Sequence, residues 1–155
     1  MKEDKSLINS DLVFLDVEAE NQWEVLHKLA MELEMQGYVK SSYGEAVIER
    51  EKVFPTGLPT MNVQVAIPHT DAKHVNNAGI LFANLNKPIL FKEMGNGVND
   101  VSAEMIFMLA IDKPENQVET LGKLMSIFSD GEFLKKLKSL TDSEKVVELL
   151  SSKIS

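Results

Sequence analysis

The sequence predicts an α/β fold: a single domain, residues 1–155, built on a mixed β-sheet of about five strands with helices on both faces. Three observations carry this prediction. The run Met105-Ile106-Phe107-Met108-Leu109-Ala110-Ile111 is apolar without interruption, as a central strand covered on both faces requires. Extended and helical patterns are mixed throughout the chain. A length of 155 residues with 44% apolar side chains suffices for one buried core, and no repeat, low-complexity tract or linker divides it.

Taken in order, Leu12-Val13-Phe14-Leu15 reads as a first strand. Trp23, Leu26, Leu29, Ala30 and Leu33 then recur at helical spacing, and Gly37 suits the stop of that helix. Ser41 or Ser42 can cap a second helix through Ala46, Val47 and Ile48 to about Val53. Pro55-Thr56-Gly57-Leu58-Pro59 reads as a rigid loop. Residues 63–67, 80–84 and 103–111 are extended; Ile89-Leu90-Phe91 reads as a short edge strand, with Gly95-Asn96-Gly97 as the turn after it. Pro114 suits the first turn of a helix whose Val118, Leu121, Met125 and Phe128 share a face. Ser129-Asp130-Gly131 breaks it before a helix carrying Phe133, Leu134 and Leu137. Thr141-Asp142-Ser143-Glu144 has capping-box spacing and opens a final helix. The eight methionines read as core filler, Met105 and Met108 within the central strand.

Sixteen basic against 24 acidic residues give a formal charge of −8, which argues against nucleic acid or an anionic membrane as a partner. The absence of cysteine removes disulfides, thiolate metal sites and any sulfur nucleophile on this chain. The start Met1-Lys2-Glu3-Asp4-Lys5-Ser6 is charged and no signal-peptide core follows, and no window approaches the roughly 18 apolar residues of a membrane span. The expectation is a cytoplasmic protein without direct membrane insertion.

The most informative segment is Val63-Gln64-Val65-Ala66-Ile67-Pro68-His69-Thr70. Proline cannot donate to a sheet ladder, so Pro68 should stop the strand and deliver His69 at its edge. Imidazole is a nucleophile at neutral pH, with roughly three quarters of it uncharged at pH 7. Three readings stay open. His69 can be a histidine satisfied by a loop carbonyl. It can join Asp71 and His74 at a metal, although residues five apart lie about 140° apart on a helix and on opposite faces of a strand, and would need an irregular loop to converge. Or it can carry a group. For a phosphoryl group the chemistry is mostly positioning plus donors, and Arg50 and Thr56 supply a guanidinium and a hydroxyl. The plain alternative for Arg50 is a surface ion pair with Glu49 or Glu51. His27 reads as solvated surface, and His74 either as exposed or as an accessory that orients His69.

Arg50-Glu51, Pro55-Thr56-Gly57-Leu58 and Val65-Ala66-Ile67-Pro68-His69-Thr70 together resemble the enzyme IIA component of the bacterial phosphoenolpyruvate-dependent sugar phosphotransferase system, in its fructose/mannitol superfamily (EIIA type 2). The resemblance covers nearly the whole chain. His69-Thr70, Asp71 and His74-Val75 look most like the galactitol-type branch. What it implies is a single EIIA domain of the phosphotransferase/anion-transport-protein-like fold and a phosphohistidine carrier without cofactor or metal. Such a carrier accepts a phosphoryl group from phospho-HPr on His69 and passes it to a cysteine of the cognate enzyme IIB, with membrane component IIC reached indirectly. By the same resemblance Arg50 and Thr56 stabilise the phosphoryl group, and Gln117, which falls where mannitol-type members carry a second histidine, is a third candidate for that role through its amide N–H. Asn62 and Thr70 depart from the superfamily's small residues. Exposed apolar residues are expected around His69, with Ile67, Leu58 and Met61 as candidates. Two rivals accompany this reading: a regulatory module that signals through the same phosphohistidine, and a metal-dependent hydrolase using His69, Asp71 and His74.

Overall fold

The computed structural model describes residues 7–154; the charged N-terminal segment discussed above lies outside them. After a 3-10 turn at Ser10–Leu12, strand β1 (Val13–Val17) leads to helix α1 (Gln22–Met35), capped by the Asn21 side chain, which accepts from Glu24 N at 2.9 Å. The helix ends at Met35, two residues before Gly37, whose φ of +85° is the left-handed geometry glycine tolerates. Its buried stripe is Val25, Leu26, Leu29, Ala30 and Leu33. Trp23, expected on that stripe, lies instead at its rim with the Lys52 ammonium 5.7 Å from its ring centroid.

Helix α2 (Tyr43–Val53) follows Ser42, whose hydroxyl does not cap it but pairs with His74 Nδ1 at 2.8 Å. The segment read as a rigid loop contains a short strand, β2 (Gly57–Leu58), antiparallel to β3 (Gln64–Ala66). Between them Asn62 adopts φ +69°, a conformation that asparagine visits more readily than most residues and that explains its place at this turn. A 3-10 turn, Ala72–His74, leads to β4 (Gly79–Lys92).

The segments 80–84 and 89–91 are one strand, not a strand and a separate short edge strand. β4 pairs antiparallel with β5 (Asp100–Ala110) from Gly79↔Ala110 to Asn84↔Met105 and again from Ile89↔Ala103 to Lys92↔Asp100. Pro88, with no donor, sits in the irregular stretch between the two ladders. The chain ends in α3 (Pro114–Phe128), α4 (Gly131–Ser139) and α5 (Ser143–Ile154). Asp130 caps α4 by accepting from Phe133 N at 3.1 Å. Asp142, rather than Thr141, takes the Glu144 N–H at 2.8 Å before α5.

The sheet order is β1-β4-β5-β3-β2, with β1–β4 and β3–β5 parallel and the other pairs antiparallel. Alternation along β4 and β5 fills two cores. Ile80, Phe82, Met105, Phe107 and Leu109 face α3, α4 and α5, where Leu124, Phe128, Leu134 and Leu150 meet them. Leu81, Ala83, Ile106 and Met108 face α1 and α2, against Leu26, Leu33, Tyr43 and Val47. The sheet is thus mixed, five-stranded and covered on both faces, as the sequence predicts.

Two expectations change. On α3 the buried residues are Thr120, Leu124, Ile127 and Phe128, so Val118 and Met125 are exposed and Leu121 half-buried. Met105 and Met108 are fully buried, but Met31, Met35, Met61 and Met125 are exposed and fill no core.

Candidate functional site

β3 ends at Ala66, and Pro68 replaces the next ladder donor with a ring. Its carbonyl still accepts from Leu109 N at 3.0 Å, which fixes the backbone one residue before His69 against β5. Ile67 is held on the other side by its N–H to the Thr56 carbonyl, 3.2 Å. The Ile67 carbonyl then meets His69 Nδ1 at 2.8 Å. A carbonyl can only accept, so Nδ1 carries the hydrogen and Nε2 keeps its lone pair. Among the described residues Nε2 has no partner, yet it is not sealed off from solvent.

His69 is 6% exposed, far less open than a histidine at a strand's edge would suggest, and it lines a cavity of about 440 Å³. Arg50, Phe54, Pro55 and Thr56 from the end of α2 and the segment after it line it together with Met94, after β4, and Leu121 and Met125 of α3. Burial and then the Arg50 guanidinium hold the imidazole below its ordinary pKa, while the Ile67 carbonyl and Asp71 oppose them. The ring is therefore neutral at neutral pH, the state a nucleophile needs.

Arg50 is not the surface ion pair that its neighbours suggested. Among the described residues Glu49 pairs with Lys52 at 3.1 Å, and the Arg50 guanidinium lies over the Phe54 ring, 5.0 Å from its centroid. Arg50 Nε is buried and has no hydrogen-bond partner among the described residues. A buried unpaired donor is rare, and here it belongs to a residue of the cavity wall.

Thr56 lines the same cavity, but its hydroxyl is engaged. Glu51, 3% exposed, accepts Thr56 N–H at Oε2 (2.8 Å) and the Thr56 hydroxyl at Oε1 (2.9 Å). Burial pushes the Glu51 carboxyl up to about 7, against the Thr56 hydrogen bonds and Arg50, which favour its charged form. Between about pH 4.5 and 7 the folded chain then binds more protons at Glu51 than the unfolded chain, so stability from this group falls as pH rises through that window. Urea denaturation at pH 5 and pH 8 should show Glu51→Gln gaining on the wild type by about 3 kcal/mol over that interval.

The remaining expected residues fall elsewhere. His74 is tied to Ser42 and does not line the cavity, and Gln117 lies short of it, one turn before Leu121. The Gln117 Oε1 is buried and has no partner among the described residues; turning the amide over would place its N–H₂ donors there instead. His69, Asp71 and His74 form no metal-ligating cluster among the described residues. Ile67 and Leu58 are core; the exposed apolar residues that line the cavity are Val53, Phe54 and Met125. Met61 is exposed but lies outside that lining. Glu51 went unassigned in the sequence except as a partner for Arg50; its bonds to Thr56 run across the end of α2, a contact that residue spacing does not signal.

Residues 6–153 match the family model of a component of the phosphoenolpyruvate-dependent sugar phosphotransferase system. The chain belongs to the EIIA 2 family of that system. It is 26% identical over 137 residues to the galactitol-specific EIIA component of Escherichia coli (strain K12), covering 88% of this chain and 87% of that protein. It is 33% identical over 144 residues to the transcriptional regulator ManR of Bacillus subtilis (strain 168), covering 90% of this chain but only 20% of ManR, so the chain spans about a fifth of that relative. The fold is that of enzyme IIAMTL in its complex with phosphorylated enzyme IIBMTL from Escherichia coli, with a TM-score of 0.76 at 23% identity over 94% of this chain and 97% of that one.

Proposed function

We propose that His69 is the phosphoryl acceptor of a phosphohistidine carrier, taking the group from phospho-HPr and passing it to a cysteine of a cognate enzyme IIB. The single observation that carries this reading is the polarised imidazole, with Nδ1–H fixed on the Ile67 carbonyl and Nε2 left free in a cavity that Arg50 also lines. Neutral Nε2 attacks phosphorus in line with the donor's nitrogen. As the N–P bond forms, positive charge spreads into the ring, and the Nδ1–H bond to Ile67 strengthens. Arg50 meets the equatorial oxygens inside a cavity whose low polarity enlarges its effect.

Val53, Phe54 and Met125, all exposed and all lining the cavity, make the apolar rim on which HPr and IIB dock in turn. Serving two partners favours a small interface, on the order of 1,200 Å² or less. No described helix is long and apolar enough to cross a membrane. The carrier acts in the cytoplasm, with IIC reached through IIB, and galactitol is the favoured sugar because the galactitol EIIA is matched over most of its own length. A second reading, a regulatory module signalling through the same histidine, is supported by the similarity to part of ManR.

Incubation with phosphoenolpyruvate, enzyme I and HPr should place one acid-labile, base-stable phosphoryl group on the chain. Onward transfer to a galactitol-type IIB favours the transport role. Phosphorylation without transfer to any IIB favours the regulatory one, and no phosphorylation at all would sink both.

A further inference from the structure

The phosphocarrier reading leaves the buried carboxyl of Glu51 without a task. Glu51 and Thr56 are 3% and 2% exposed, and they are bonded to each other through three donor–acceptor contacts of 2.8, 2.9 and 3.1 Å. A threonine hydroxyl has one hydrogen. While Glu51 is ionised it can only accept, so that hydrogen points at Glu51 and Thr56 offers the cavity nothing but lone pairs. Lone pairs repel phosphoryl oxygens. If Glu51 Oε1 is protonated, the bond reverses: the carboxyl O–H donates to Thr56 Oγ1, the Thr56 N–H stays on Oε2, and the threonine O–H is free to turn into the cavity.

We infer that phosphorylation of His69 is coupled to protonation of Glu51, which converts Thr56 from an acceptor into a donor for the phosphoryl group; this rests on His69 being the phosphoryl acceptor. The step balances. The donor's P–N bond breaks and its electron pair stays on the donor nitrogen. The Nε2 lone pair forms the new N–P bond, and Nδ1 keeps its hydrogen on Ile67. One proton moves from solvent to Glu51 Oε1 and returns when the group leaves. A phosphoryl group brings roughly −1.5 to −2 of charge, so taking up one proton beside it offsets much of that burden.

Glu51 is poised for this, since burial has already lifted its pKa to about 7 and little further push is required. The charged side chain that acts on Glu51 is Arg50 on the same helix; His69, on which Arg50 and Asp71 act, lines the same cavity as Thr56, and Glu93 bridges Gly57, the residue after Thr56. Arg50 favours the ionised carboxylate in the resting state, and that pull weakens once its guanidinium meets the phosphoryl oxygens. The Glu93 carboxylate is occupied by Asn99 at 3.1 Å, and α3 contributes the uncharged Leu121 and Met125. Glu51 is thus a positioning residue acting through Thr56.

The test is a carbon-detected NMR titration of the Glu51 side-chain carboxyl in the wild-type chain between pH 6 and 9, before and after phosphorylation by phospho-HPr. The midpoint should rise by about one pH unit or more, a tenfold gain in proton affinity. In Glu51→Gln the amide donates permanently to Thr56 Oγ1, so the rate of phosphoryl uptake should lose the pH dependence seen in the wild type. Thr56→Val should slow uptake about tenfold, and Thr56→Ser should restore it. A phosphorylated chain whose Glu51 midpoint is unmoved or lowered overturns the coupling while the carrier reading stands. A chain that takes up no phosphoryl group on His69 overturns both. The wild-type titration decides the matter even if a variant does not fold.

Discussion

Replacing His69 by glutamine is expected to abolish phosphoryl uptake, by at least about 10⁴-fold in a single-turnover assay with phospho-HPr. The magnitude follows from the absence of a substitute. The chain has no cysteine, His27 is exposed on α1, and His74 is committed to Ser42 outside the cavity. A glutamine amide reaches a similar volume and can donate to the Ile67 carbonyl, but its nitrogen lone pair is delocalised and does not attack phosphorus. Circular dichroism and the urea midpoint should stay close to those of the wild type, because the strand end is fixed by backbone bonds at Ile67 and Pro68, not by the ring. Uptake within tenfold of wild type, or a phosphoryl group mapped to His27 or His74 in the unmodified chain, would overturn the assignment of His69.

The sheet and the position of His69 were legible because both rest on local signals. The uninterrupted run at residues 105–111 has no solvent-facing alternation, so it had to be covered on both faces, and Pro68 ends its ladder wherever the rest of the sheet lies. The cavity wall was harder to read for a definite reason. Periodicity tells which residues share a face but not whether another element covers it. Val118, Leu121 and Met125 therefore read as core on α3, although the covered face is that of Leu124, Ile127 and Phe128. Ile67 and Leu58 failed in the opposite direction: next to a functional histidine they looked available for docking, but each is buried in the core that α3, α4 and α5 share with the sheet. Thr56 was found by residue type, and Glu51 was missed, because which hydrogen a hydroxyl donates to depends on a contact across the end of α2 that no spacing rule encodes.

The same limit makes Gly57 the residue whose replacement should harm the fold most. In the sequence it reads as part of a rigid loop, Pro55-Thr56-Gly57-Leu58-Pro59. Its φ is not in the left-handed region, and its need is space. A Cβ there would stand 2.7 Å from the Lys92 carbonyl oxygen, 3.0 Å from Val101 Cβ and 3.2 Å from Phe91 Cβ. The nearest of these is backbone in the β4–β5 ladder, where Lys92 pairs with Asp100 and Phe91 with Val101, so it cannot retreat without breaking that register. Gly57 also pairs with Ala66, and its carbonyl accepts from Met94 N at 2.8 Å. Gly57→Ala should therefore lower stability by about 3 kcal/mol, which in a chain of this size is a fall in Tm of roughly 6–12 °C. Because Thr56 precedes it and Met94 lines the cavity, the relaxation that admits a methyl group must also displace the wall facing His69. Phosphoryl uptake should fall even at temperatures where the variant is fully folded. Gly122→Ala is the matched control: it sits in α3 with nothing within 4 Å of the added carbon, and should stabilise the chain by about 0.5–1 kcal/mol. Equal thermal behaviour of the two variants would show that Gly57 is tolerated for flexibility, and that the close approach of β2 to β4 does not set the geometry of the site.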